Sequence, residues 1–225
     1  MPLVNEGERH MTAASQTLGI RAIRSVPLFG ESPKGGWSAE IKPEDTIHAL
    51  IAVHTDGGPI GYGSVFTDAR LVAAALKVLE PLYLGENALE PARVSEKLHQ
   101  NSFWMGRGGS LTHAISGIDI ALWDILGKVT GQPVHKLWGG PVRDYVRLYC
   151  HLGGGKMEDF YDTDPSDAKR FGELAQQAVA DGFTAFKTMA SPETAPIEGN
   201  RPIRYAERCV AAMREAVGPD IDIMV

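Results

Sequence analysis

The strongest constraint on this chain is a change of pattern near residue 140. Before it, strand-like runs come first and helix-spaced runs follow; after it, short strand-like and helix-spaced runs take turns. Segregated strands and helices describe an α+β layer, whereas alternation with right-handed crossovers starts a parallel α/β sheet. Two folding units are therefore expected, 19–143 and 144–225, joined by the Gly/Pro hinge 139–143.

In the first unit, Ile20, Ala22, Ile23, Val26 and Leu28 mark a strand over 19–28 that runs into the Gly/Pro/Ser stretch 30–36. Runs 46–55 and 60–66 are joined by Gly57-Gly58-Pro59, too short for a crossover, which predicts an antiparallel meander. Leu71, Ala75, Leu76 and Leu79 then predict a helix stopped by Pro81, and Val94, Leu98 and Trp104 a second over 90–105. In a third, Ile115, Ile118, Leu122, Ile125 and Val129 step by three and four, with Ser110 or Thr112 as cap and Gly131 and Pro133 as the end.

The second unit reads as strand 146–151, helix 168–180, strand 183–190, helix 204–217 and strand 221–225, with Gly182 and Gly218 cutting the helices. Three strands fall short of the eight of a closed (β/α)8 barrel, and an apolar last strand leaves a bare edge. The chain is therefore expected to be the front part of a longer polypeptide. Residues 1–18 are expected to be a flexible N-terminal tail, its polar run 5–16 belonging to no core.

Composition excludes some roles. With 44% hydrophobic and 22% charged residues this is a soluble globular chain, and 22 Lys and Arg against 28 Asp and Glu give a net charge of −6. No basic footprint exists for nucleic acid or an anionic membrane, so neither is expected as a partner. Without a signal-peptide core or a membrane-length apolar run, the expected location is the cytoplasm. Cys150 and Cys209 stand in no metal-binding or disulfide spacing and read as reduced thiols.

The helix AISGIDIALWDILGK (114–128), followed by GQPVHKLWGG (131–140), resembles the signature stretch of the mandelate racemase and muconate lactonizing enzyme branch of the enolase superfamily. Within that branch GFTAFKTM (182–189) is most similar to sugar-acid dehydratases of the galactonate dehydratase type. The resemblance implies an α+β capping domain followed by the first strands of a TIM barrel. It also implies proton abstraction α to a carboxylate, with Mg²⁺ stabilising the ene-diolate. The implied metal ligands are carboxylates ending the third to fifth barrel strands, so none is assigned here; Asp220 and Asp222 precede or begin the third strand.

Lys187 matches the first Lys of the family's KxK motif, whose implied role is to polarise the substrate carboxylate. Strand alternation puts it on one face with Ala185 and Met189; its alternative use is to extend into solvent. Met189 stands where the family has its second Lys, and a thioether takes no proton. That argues against racemisation, which needs a base on each face, and for β-elimination of water from an aldonate such as galactonate or gluconate, a lyase reaction. A racemase or epimerase is the alternative, and a non-catalytic fragment the other.

Trp37, and Tyr62 and Ser64 in an expected turn, match in position the loops that close over the family's barrel and are candidate substrate contacts, as is His151 at the end of the first barrel strand. Each could equally be an exposed side chain with no such role. Asp119 and Asp124 lie roughly 140° apart around their helix, which suits structural hydrogen bonds rather than a paired acid and base. Gly153-Gly154-Gly155-Lys156 lacks the first glycine and the Ser/Thr of a phosphate loop, and Gly61-Tyr62-Gly63 has Phe66 where a dinucleotide fingerprint needs its third glycine. The partner expected is thus a small sugar acid; family members are commonly multimers, but no stripe in this chain marks an oligomer surface.

Overall fold

A computed structural model describes residues 17–28, 48–152, 167–188 and 199–225. Contacts divide the described chain into two compact units that part between Val142 and Arg143.

In the first unit β1 (Ile20–Pro27), β2 (His48–Thr55) and β3 (Gly61–Phe66) form an antiparallel sheet in the order β1-β2-β3. Helices α1 (Ala69–Tyr83), α2 (Pro91–Ser102), α3 (Gly109–Thr130) and the short α4 (Val134–Leu137) follow. The core lies between one sheet face (Ile20, Ile51, Val53, Val65) and the apolar stripes of α1, α2 and α3. Ile115, Ile118, Leu122 and Ile125 of α3 are buried as their spacing predicts, each contributing roughly 1.5–3 kcal/mol of apolar burial.

Helix α3 packs directly onto the β3 backbone. Side-chain carbons on Gly61 and Gly63 would sit 2.1 Å from the carbonyl oxygens of Ala121 and Gly117, and one on Gly117 would sit 2.5 Å from Val65. Only glycine allows two backbones this close, which gives the small residues on both elements their reason.

Several local expectations are corrected. Pro81 lies inside α1, which runs on to Tyr83; so near the helix end a missing N–H breaks only one late bond. The buried stripe of α1 is Val72, Ala75, Leu76, Leu79 and Tyr83, leaving Leu71 exposed. Trp104 is exposed in a 3-10 turn after α2. Gly108 caps α3, and Thr112, within its first turn, accepts the Gly108 N–H at 3.0 Å.

The start of the sheet is pinned by the loop after α1. Ile20 N–H donates to the Glu86 carbonyl at 2.9 Å, and the Glu86 carboxylate pairs with Lys97 at 2.6 Å and Arg93 at 2.7 Å. The Lys97 hydrogen bond, with Arg93 adding to it, holds this carboxyl below its ordinary range.

In the second unit β4 (Cys150–His151), β5 (Ala185–Lys187) and β6 (Asp222–Met224) form a parallel sheet in the order β4-β5-β6. Helices α5 (Asp167–Ala180) and α6 (Arg201–Val217) provide its crossovers, and Gly182 and Gly218 take positive φ where each helix ends. Phe186 is buried against Phe171, Ala175, Cys209 and Met213. The first strand pairs over two residues rather than the six expected, and Val146, Leu148 and Tyr149 are exposed ahead of it. Three parallel strands with two crossover helices are the opening of a (β/α)8 barrel; no closed barrel exists among the described residues.

Replacing Gly63 with alanine is expected to lower stability by about 3 kcal/mol, because the α3 carbonyl cannot yield; urea denaturation measures it. For Glu86→Gln the expected loss is about 1 kcal/mol at pH 7, modest because both cations are partly exposed. Since the folded protein favours the ionised carboxyl, this difference is present above about pH 4.5, the ordinary value, and vanishes as pH falls through the lower folded value. Paired denaturation curves against pH test the sign.

Candidate functional site

The parallel sheet has two unlike faces. Cys150, Phe186 and Ile223 stand opposite one another and pack against the helices, so the alternate residues point the other way. On that face His151 is registered against Lys187, and Lys187 against Met224. Adjacent strands are about 4.8 Å apart, so the two side chains leave neighbouring positions on one face. Both end their strands, at the C-terminal edge where barrel enzymes carry their chemistry.

The backbone around this pair is fixed on both sides. Leu152 N–H donates to the Lys187 carbonyl at 2.8 Å, and Thr188 N–H to the Met224 carbonyl at 3.0 Å. The Thr188 side chain is buried, and its hydroxyl donates to the Leu152 carbonyl at 3.4 Å. Lys187 and His151 themselves are exposed. Two cationic or hydrogen-bonding heads on one rigid strand edge can together hold a carboxylate.

Other candidates fall elsewhere. Tyr62 and Ser64 are mid-strand in β3, not in a turn, and stand on its exposed face because Gly61, Gly63 and Val65 take the α3 face. The Tyr62 ring lies beneath Lys128, whose Nζ is 4.7 Å from its centroid, and the Tyr62 N–H donates to Asp124 at 2.8 Å. Lys128 in turn donates to Asp124 at 2.6 Å and to the Ile60 carbonyl at 2.8 Å. Asp119 faces α2, bonded by Ser95 near His99, and burial raises its carboxyl above the ordinary range. Both aspartates are thus structural, Asp124 serving a strand and Asp119 a helix. Trp37, Met189 and 153–156 lie outside the described residues.

Among the described residues no three His, Cys, Asp or Glu side chains lie close enough to hold a metal ion, so these residues do not fit a Mg²⁺ site. Asp222, at the N-terminal edge, is instead paired with Arg147 at 2.5 Å. Sequence reasoning gave Arg147 no role; its signal was a lone arginine in an otherwise strand-like apolar run. Among the described residues no helix is long and apolar enough to cross a membrane.

Comparison with known proteins agrees with this architecture. Residues 43–139 match the N-terminal domain of the mandelate racemase / muconate lactonizing enzyme family. The chain is 36% identical over 178 residues to the D-galactonate dehydratase of Verminephrobacter eiseniae (strain EF01-2), covering 77% of this chain and 43% of that one. It is 28% identical over 208 residues to the D-gluconate dehydratase of Thermoproteus tenax, covering 92% and 39%. An enolase-superfamily structure from Salmonella Typhimurium superposes with a TM-score of 0.70 at 27% identity, over 92% of this chain and 54% of that one. The chain spans less than half the length of the two dehydratases.

Proposed function

The chain belongs to the mandelate racemase and muconate lactonizing enzyme branch of the enolase superfamily, and on that premise we propose that its full-length protein dehydrates a sugar acid. The observation that carries the reading is the registered pair His151 and Lys187 at the C-terminal strand edge, opposite the helix layer. The similarity to galactonate and gluconate dehydratases supports an aldonate as the substrate class.

In this reading Lys187 binds the substrate carboxylate and lowers the cost of the negative charge that builds on it as the α-proton leaves. His151 orients the same carboxylate from the adjacent strand. A base takes the α-proton, the electron pair moves toward the carboxylate, and the β-hydroxyl departs, taking up a proton to become water. Met189 follows two positions after Lys187 and brings no base, so the base comes from the other side of the substrate. Mg²⁺, which this family's chemistry employs, would supply Lewis-acid stabilisation of developing negative charge; none of the described residues forms its site. We further propose that the first unit is the capping domain over 19–143, with Trp37, Tyr62 and Ser64 as its substrate-contact candidates, and that the protein works in the cytoplasm.

Incubating the full-length protein with D-galactonate or D-gluconate in deuterated water is expected to yield a 2-keto-3-deoxy acid. Lys187→Met should lower kcat/KM by about 10²–10³-fold with unchanged folding. Deuterium exchange at the α-carbon without water loss would instead favour a racemase or epimerase, and neither reaction on either acid would refute the reading.

A further inference from the structure

The first strand of the parallel sheet is anchored after its ladder, by buried Leu152 and its N–H bond to the Lys187 carbonyl, and not before it. Its ladder is two residues long, and the exposed side chains of Val146, Leu148 and Tyr149 ahead of it bring no buried anchor. A one-residue slip would turn every side chain over, sending His151 to the helix side and Cys150 to the open side. Arg147 spans this weak point. Its Nε donates to Thr184 Oγ1 at 2.8 Å, one Nη to the Thr184 carbonyl at 2.6 Å, and the other to Asp222 at 2.5 Å. A planar guanidinium with three acceptors in fixed directions accepts one placement, which a lysine would not enforce.

We propose that Arg147 is a positioning residue that locks β4 in register across the starts of β5 and β6, keeping His151 beside Lys187. Its effect on catalysis rests on the dehydratase reading; the lock itself does not. Because Arg147 and Asp222 are more than half exposed, the contacts add little to overall stability and act on geometry.

The protein carries its own reporter. Cys150 is half-buried against the helix layer, while Cys209 is fully buried on α6 in the same core. In Arg147→Met of the full-length protein, a maleimide reagent under native conditions is expected to modify Cys150 about ten-fold faster, with Cys209 unchanged, since reactivity follows exposure and thiolate fraction. Peptide mass mapping assigns each site. KM for the acid substrate should rise more than kcat falls, and Arg147→Lys should not restore it. Equal acceleration at both cysteines, or at neither, overturns the proposal. If Arg147→Met does not fold, Thr184→Val, which removes one of the three acceptors, must show the same selective rise to a lesser degree. A wild-type protein inactive on aldonates would sink the catalytic reading and leave the thiol result to judge the lock alone.

Discussion

The approach of α3 to β3 governs the first unit. With hydrogen in place of side chains at Gly61, Gly63 and Gly117, helix and strand meet backbone to backbone, and the larger apolar residues are displaced to either side of the contact. Ile118, Leu122 and Ile125 then reach past the strand into the core, where α1 and α2 close over them. Enlarging any of the three glycines would lift α3 off the sheet and open voids beneath its whole stripe, since packed interiors do not deform smoothly.

The second unit depends on a different constraint, the period of two along a strand. Phe186 between Phe171 and Met213 commits β5 to one orientation, and Ile223 and Cys150 follow on its neighbours. The opposite face is thereby assigned to Lys187 and His151. Burial on one side of the sheet thus chooses which residues are offered on the other, and hydrophobic packing acts as the positioning device for polar groups.

Much of this was legible from spacing. The stripe of α3, the meander turn at Gly57 to Pro59, and the helix-ending Gly182 and Gly218 carry strong local signals, because each is set by neighbours a few residues away. The misreadings share a cause. The end of α1 beyond Pro81, the exposure of Leu71 and Trp104, and the strand position of Tyr62 depend on which face meets another element, and local periodicity leaves that phase open within one residue. In the candidate site, the side of β5 that bears Lys187 followed from alternation, whereas the fork of Arg147 onto Thr184 and Asp222 joins residues dozens of positions apart and leaves no local trace.

The pair Asp124 and Lys128 has a consequence beyond fixing Tyr62. Strand β3 is outermost in its sheet, so its outward N–H and C=O groups would be a template for any passing extended segment. Asp124 occupies the Tyr62 N–H and Lys128 the Ile60 carbonyl, both from the next-packed helix. A foreign strand would have to displace a charged side chain at each point, so this end of the β3 edge is guarded by the same helix that packs the core.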